Sequence, residues 1–341
     1  MAAIATSPAA PAVRISSRWI IGRGVDLSLV IGSAAAGYVY LLLFTALHVK
    51  ISYLWWFWSI GFDGTHIFAT ASRTFFDRDA RARNARLFYG SLAVFFAAGP
   101  LMILAGQKGL LALVVGVWAY YHVIRQHYGF MVLYKVKNRD LHRLDNFLDR
   151  AFIGVMTVAP PFHRFFIHHP EELGSPLSFP RFEPAMWAIV VSTGAVWVAR
   201  QLVRWRAGDP VDLPKHLLFL AVIPLHWLTF AYLSWQAAVP TVTIVHNLQY
   251  HAIVWFHNRN RYSGDERFGR VPAAVSRSLA VYIVAGLVFS ALYRIPGFQL
   301  GRVSDLAFGF FCGFGLTHYY LDSRIWRVRH DPGLREALQM Q

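Results

Sequence analysis

Apolar windows of about 20 residues, the length that crosses a bilayer, recur ten times along the chain. They cover residues 26–48, 52–72, 88–106, 109–134, 147–163, 184–203, 214–235, 238–257, 274–294 and 301–323. Short polar or basic stretches separate them, and Pro160 and Pro161 interrupt the fifth. The pattern predicts an all-α polytopic membrane protein of about ten transmembrane helices. Trp and Tyr gather near predicted helix ends, as in "YLWWFW" (Tyr53 to Trp58), where membrane–water interfaces favour them.

Basic residues give the expected orientation. With the N-terminus in the cytoplasm, Arg73, Arg78, Arg81, Arg83 and Arg86 fall inside, as do Lys135, Lys137, Arg139, Arg143 and Arg150. The loops around Arg204 and from Arg259 to Arg270, and the tail from Arg324, also fall inside. Lys50, Lys108, Arg164, Arg181, Arg294 and Arg302 fall outside, six of 33 basic residues. Cytoplasmic loops of membrane proteins carry this excess, so both termini are expected in the cytoplasm of a bacterial-type inner membrane. The same rule accounts for the net charge of +15 without nucleic acid as a partner. Residues 1–24 are expected to form a small-residue tail (1–13) and a basic interfacial segment (Arg14 to Arg23). Residues 25–325 form one transmembrane domain and 326–341 a basic cytoplasmic tail. A single cysteine, Cys312, excludes an intrachain disulfide and a Cys-based metal site.

Against this apolar background, "VHNLQYHAIVWFHNRNR" (Val245 to Arg261) places His246, Asn247, Gln249 and His251 within two turns. "YHVIRQHYGF" (Tyr121 to Phe130) nearly repeats it with His122, Gln126 and His127. His66 and His318 occupy two further windows of the same polarity. Counting from His66 to Arg73, His127 to Lys135, His251 to Arg259 and His318 to Arg324 gives six to eight positions each. At a rise of about 1.5 Å per residue these four imidazoles lie roughly 9–12 Å below the cytoplasmic interface. His122 and His246 form a matching layer five residues deeper. The i,i+5 pairs His122–His127 and His246–His251 stand about 140° apart on a regular helix, so one ion takes both members only if a π-bulge intervenes.

Ionisable groups inside a membrane are costly, and a set at common depth points to function. His66, His127, His251 and His318 are first-choice metal ligands, with His122 and His246 as second-choice ligands or proton relays. Asp63 and Asp322, at helical spacing from His66 and His318, are placed to orient ligands. Gln126 shares a face with His122, and Asn247 shares one with His251; with Gln249 they form an outer polar shell. Arg125 is assigned to a substrate head group or to Asp63. Imidazole-rich sets suit Fe, Zn or Cu, and iron open to O₂ suits oxidation of a lipophilic substrate lacking a hydrolysable bond. Such an enzyme requires an electron donor for some reactions. The alternatives are a proton-coupled transporter, a partner-dependent subunit, haem ligation, and polar residues that only join helices. His48, His142, His163, His168, His169 and His330 are expected to be solvated, and His226 to be a core histidine. Gly309, Gly313 and Gly315 fit close helix packing.

Two resemblances follow from these motifs. His122-x4-His127 and His246-x4-His251 resemble the first histidine box of membrane fatty-acid desaturases and hydroxylases, although His-x2-His-His boxes are absent. "THYYLD" (Thr317 to Asp322) is similar to a motif of the bacterial membrane β-carotene dioxygenases of the Brp/Blh type. His246-x4-His251 is similar to their central His-x3-His with one extra residue. "DGTHIFAT" (Asp63 to Thr70) has its aspartate before the histidine rather than after it. The matches cover about a tenth of the chain. By resemblance they imply iron(II), O₂ and a polyene or similar apolar substrate.

Overall fold

The computed structural model describes residues 14–173, 177–263 and 266–340. The expected tail 1–13 lies outside them. Ten long helical rods run through the described residues. The first, α1, spans Arg23–Thr45. The second, α2, covers residues 51–73 as Ile51–Trp58, a π turn Ser59–Asp63, and Gly64–Arg73. Then follow α3 (Arg78–Leu104), α4 (Lys108–Lys137) and α5 (Arg143–Phe162), the last running into a π turn, His163–His168. The remainder are α6 (Glu183–Arg206), α7 (Leu213–Tyr232), α8 (Trp235–Tyr262), α9 (Leu279–Val303) and α10 (Asp305–Ile325). Among the described residues, strand is confined to a two-residue parallel pairing of Ile15–Ser16 with Val211–Asp212. Each predicted window coincides with one rod. The largest difference is in the third, which already begins at Arg78; the ninth begins at Leu279, after the separate short helix Arg270–Val275.

Five rods, α1, α3, α6, α7 and α9, are long and apolar enough to cross a membrane. These mostly face outward: α6 buries only Met186 and Val190. By contrast α8 is buried along most of its length and forms the axis of the fold. Its residues Tyr250, Ile253, Val254 and Phe256 join Phe68 of α2, Phe130 and Tyr134 of α4, and Leu218 and Val222 of α7 in one apolar core. Asp26 fixes the entry into α1 by accepting hydrogen bonds from the backbone N–H groups of Ile20 and Ile21, at 2.6 and 3.1 Å.

At one end of α4, α5 and α7 lies a buried ion network. Lys215 Nζ is 2.8 Å from Asp140 and 3.0 Å from Asp149. Lys135 bonds the same two carboxylates, and Arg204 reaches Asp140 at 2.9 Å. Lys135 is therefore inside the protein. So is Arg73, whose guanidinium lies 3.8 Å over the Trp326 ring and donates to the Ile325 carbonyl. Neither residue marks the water boundary, as the depth count from the sequence assumed.

Candidate metal centre

Four helices each send one histidine to a common point. His66 (α2), His122 (α4), His246 (α8) and His318 (α10) are all buried, and one nitrogen from each lies within 4.8 Å of the others. The Nε2 atoms of His66 and His246 face each other at 3.1 Å. His318 packs edge-on to His66 and His122, with ring centroids 4.4 and 4.8 Å away. Nitrogens of a tetrahedral site with bonds of about 2.0–2.1 Å lie about 3.3 Å apart, so the closest pair is already near ligand spacing.

The protons can be placed at His318. Its Nδ1 is 2.7 Å from Thr70 Oγ1, and Thr70 in turn is 2.8 Å from Asp322 Oδ1 and 2.7 Å from the Tyr250 hydroxyl. Thr70 has one hydrogen, which goes to Asp322 or Tyr250. His318 Nδ1–H must then donate to Thr70, which leaves the Nε2 lone pair free. That Nε2 is buried with no protein partner, as is His122 Nε2. Two buried ring nitrogens without a hydrogen-bond partner are costly unless something binds them. Tyr250 donates to Asp322 at 2.7 Å, and Trp326 Nε1 lies 3.3 Å from the Tyr250 hydroxyl, so Asp322 anchors a polar chain behind His318. Its other oxygen is 3.7 Å from His122 Nε2. The residues present fit a nitrogen-ligated transition metal. On His66 and His246, Nδ1 has no partner, so the outer support is complete only for His318.

The expected residues divide accordingly. Of the first-choice ligands, His66 and His318 join the centre, together with the second-choice His122 and His246. His127 and His251 stand outside it. α4 and α8 are regular α-helix through these positions, so each i,i+5 pair points two ways and only one member faces the centre. His127 Nδ1 donates to Gln249 Oε1 at 3.0 Å, while Gln249 Nε2 donates to the Val30 carbonyl. His251 has both ring nitrogens engaged, by Thr65 Oγ1 at 2.9 Å and the Tyr282 hydroxyl at 3.0 Å. Gln126 donates to the His246 carbonyl at 2.7 Å rather than to an imidazole. Asn247 is buried, and its Nδ2 has no hydrogen-bond partner among the described residues.

Two assignments change. Asp63 does not orient His66: its carboxylate pairs with Arg294 of α9, because the π turn Ser59–Asp63 ends at Asp63 and turns it toward that helix. Arg125 is exposed and stacks on the Tyr128 ring at 4.9 Å, so it does not meet Asp63. His226 is buried as expected, with Nδ1 2.6 Å from the Tyr120 hydroxyl. Thr70 entered the sequence analysis only as the end of the DGTHIFAT segment, and Tyr250 carried no assignment. The signal for Tyr250 was its i,i+4 spacing from His246 on α8. No family model, curated protein or solved structure matched the chain.

Proposed function

We propose that the chain is a ten-span integral membrane protein with both termini cytoplasmic, whose four-histidine centre holds a non-haem iron and oxidises a lipophilic substrate such as a carotenoid or another lipid. The observation that carries this is the convergence of His66, His122, His246 and His318 on one buried point, where His122 Nε2 and His318 Nε2 have no hydrogen-bond partner among the described residues. Helix-to-helix hydrogen bonding alone gives no reason to leave those nitrogens without donors.

In this scheme the four imidazoles hold the metal and Asp322, through Thr70, fixes the tautomer of His318. Bound there, iron supplies O₂ activation, which suits a substrate that offers no bond for hydrolysis. Tyr250, buried against His66 with ring centroids 4.4 Å apart, excludes water and can hold a proton on the hydroxyl it shares with Asp322. An electron donor would be needed wherever the reaction consumes more electrons than the substrate provides. The ten-span reading rests on five apolar rods and on five others of similar length, four of which hold their polar histidines against one another rather than against lipid.

Elemental analysis of detergent-purified protein tests the centre, wild type beside His122→Ala/His246→Ala. About one iron per chain, lost in the double variant, supports the reading; zinc or copper in its place keeps the centre and replaces the chemistry. A folded, thermally stable wild type without metal would sink it. The buried histidines would then serve proton relay or helix packing, as in a transporter.

A further inference from the structure

We propose a second divalent-metal site, independent of the four-histidine centre, formed by His163, His168 and Glu183 and suited to zinc or copper(II). The three donor atoms form a closed triangle: His163 Nε2 is 2.9 Å from Glu183 Oε1, His168 Nε2 is 3.2 Å from the same oxygen, and the two Nε2 atoms are 3.1 Å apart. An ion with ordinary bonds of about 2.0–2.1 Å would sit about 1 Å above that triangle, leaving its outer side open to water or a further ligand. Nitrogen and carboxylate donors without thiolate suit a borderline divalent ion, and copper(II) binds such sets more tightly than zinc.

The backbone gives the reason to see more than an accidental ion pair. His163 and His168 are an i,i+5 pair, which a regular α-helix would hold about 140° apart. The chain leaves the α-helix at His163 and runs His163–His168 as a π turn, whose i→i+5 hydrogen bonding returns both imidazoles to one face. Pro160 and Pro161, one turn earlier, lack the N–H groups that an α ladder needs. An ion pair with Glu183 needs one histidine. A second imidazole nitrogen 3.1 Å from the first adds little to that pair: both Nε2–H groups can donate to the one Glu183 oxygen only by facing each other, whereas a cation between them would take both lone pairs.

The frame around the triangle is fixed. Glu183 opens α6, and its Oε1 also lies 3.5 Å from Trp187 Nε1. Trp187 packs against the His163 ring at 5.5 Å and against Trp227 at 5.4 Å. The next histidine, His169, turns away onto Glu171. Arg164, within the π turn, is paired with Glu172, which also accepts from the Trp235 N–H. All three donor side chains are about one third to one half exposed, so a metal added to the folded protein can reach them.

The test is equilibrium binding of zinc chloride to chelator-treated, full-length protein in detergent, wild type beside His168→Ala and Glu183→Gln. The expected result is one zinc fewer per chain in His168→Ala at concentrations that saturate the wild type. The affinity of Glu183→Gln should fall at least about tenfold, the lower end of what even a ligand's outer partner is worth. With copper(II), electron paramagnetic resonance should show two coupled nitrogens at this site in the wild type and one in His168→Ala. Equal stoichiometry and affinity in wild type and His168→Ala would overturn the proposal, as would an unchanged nitrogen count. His168 is nearly half exposed and outside the apolar core, so its loss spares the core; should that variant still fail to fold, Glu183→Gln decides alone. Loss of metal from the His122→Ala/His246→Ala protein leaves these outcomes untouched, so the two centres fail separately.

Discussion

Thr70 shows how much of the centre depends on one hydroxyl. It stands between His318 Nδ1 and Asp322, and without it the carboxylate remains 3.8 Å from the ring nitrogen. Replacement of Thr70 by Val keeps the shape and removes the bridge. Metal affinity should fall about 10–100-fold, the usual effect of losing a ligand's outer hydrogen bond. Thr70→Ser should restore most of it, and competition with a chelator of known affinity reads both. The grouping of histidines makes a second prediction. His246→Ala should lose the metal, while His251→Ala should keep it, because Thr65 and Tyr282 already occupy both nitrogens of His251. Metal content of the two purified variants checks this; loss in both would place His251 in the centre after all. The sequence made the histidines visible but not their pairing. A common depth was inferred from Arg73 and Lys135, and both basic groups turned out to be satisfied inside the protein by Trp326 and Ile325 O, and by Asp140 and Asp149.

Helix packing rests on close approaches that the apolar pattern indicates only on one side. Gly309 of α10 was recognisable as a packing glycine within a cluster of three, whereas Gly99 of α3 stood alone beside Pro100. The two meet backbone to backbone: a Cβ at Gly99 would fall 1.9 Å from the Gly309 carbonyl oxygen, and one at Gly309 would fall 2.7 Å from the Gly99 carbonyl carbon. No side-chain rotation relieves a clash with backbone. Gly99→Ala should therefore force α3 and α10 apart and cost about 1–3 kcal/mol. α10 carries His318, so the same change should also weaken metal retention. Thermal unfolding in detergent measures the first effect and metal content the second. Gly116→Ala, with open space around its Cβ, is the control that should change neither. π turns were the least legible feature at this scale. The i,i+5 histidine spacing raised them for α4 and α8, but they occur at 26–31, 59–63 and 163–168, where they re-aim Asp63 and join His163 to His168.

Across the molecule, the rods sort by composition into an apolar outer set and a polar inner one. α2, α4, α8 and α10, which carry the four converging histidines, are all absent from the five that qualify as spans by length and hydropathy. Their polar residues lower the hydropathy and are buried against each other, the arrangement that the interior of a helix bundle requires. The inner set must be held together by more than apolar contact, and the Lys135–Asp140–Asp149–Lys215 network clamps α4 to α5 and α7. Lys215→Met should cost about 3–5 kcal/mol, since it leaves two buried carboxylates to Lys135 and Arg204. The combined Lys215→Met/Asp149→Leu change should cost less than the single one, which double-variant unfolding measurements would resolve. Acid acts on the same clamp. Burial raises the pKa of Asp140 in the loop after α4, but Lys215, Lys135 and Arg204 outweigh it and hold the carboxyl well below its ordinary value. A carboxylate depressed in the folded state contributes stability that is full above its unfolded pKa of about 3.9 and is lost as pH falls below it. The unfolding temperature of the wild type should therefore begin to drop below about pH 5 and go on falling well below pH 3, and Asp140→Asn should lower it at pH 7 while flattening that drop. An equally steep acid limb in Asp140→Asn would remove Asp140 as its source.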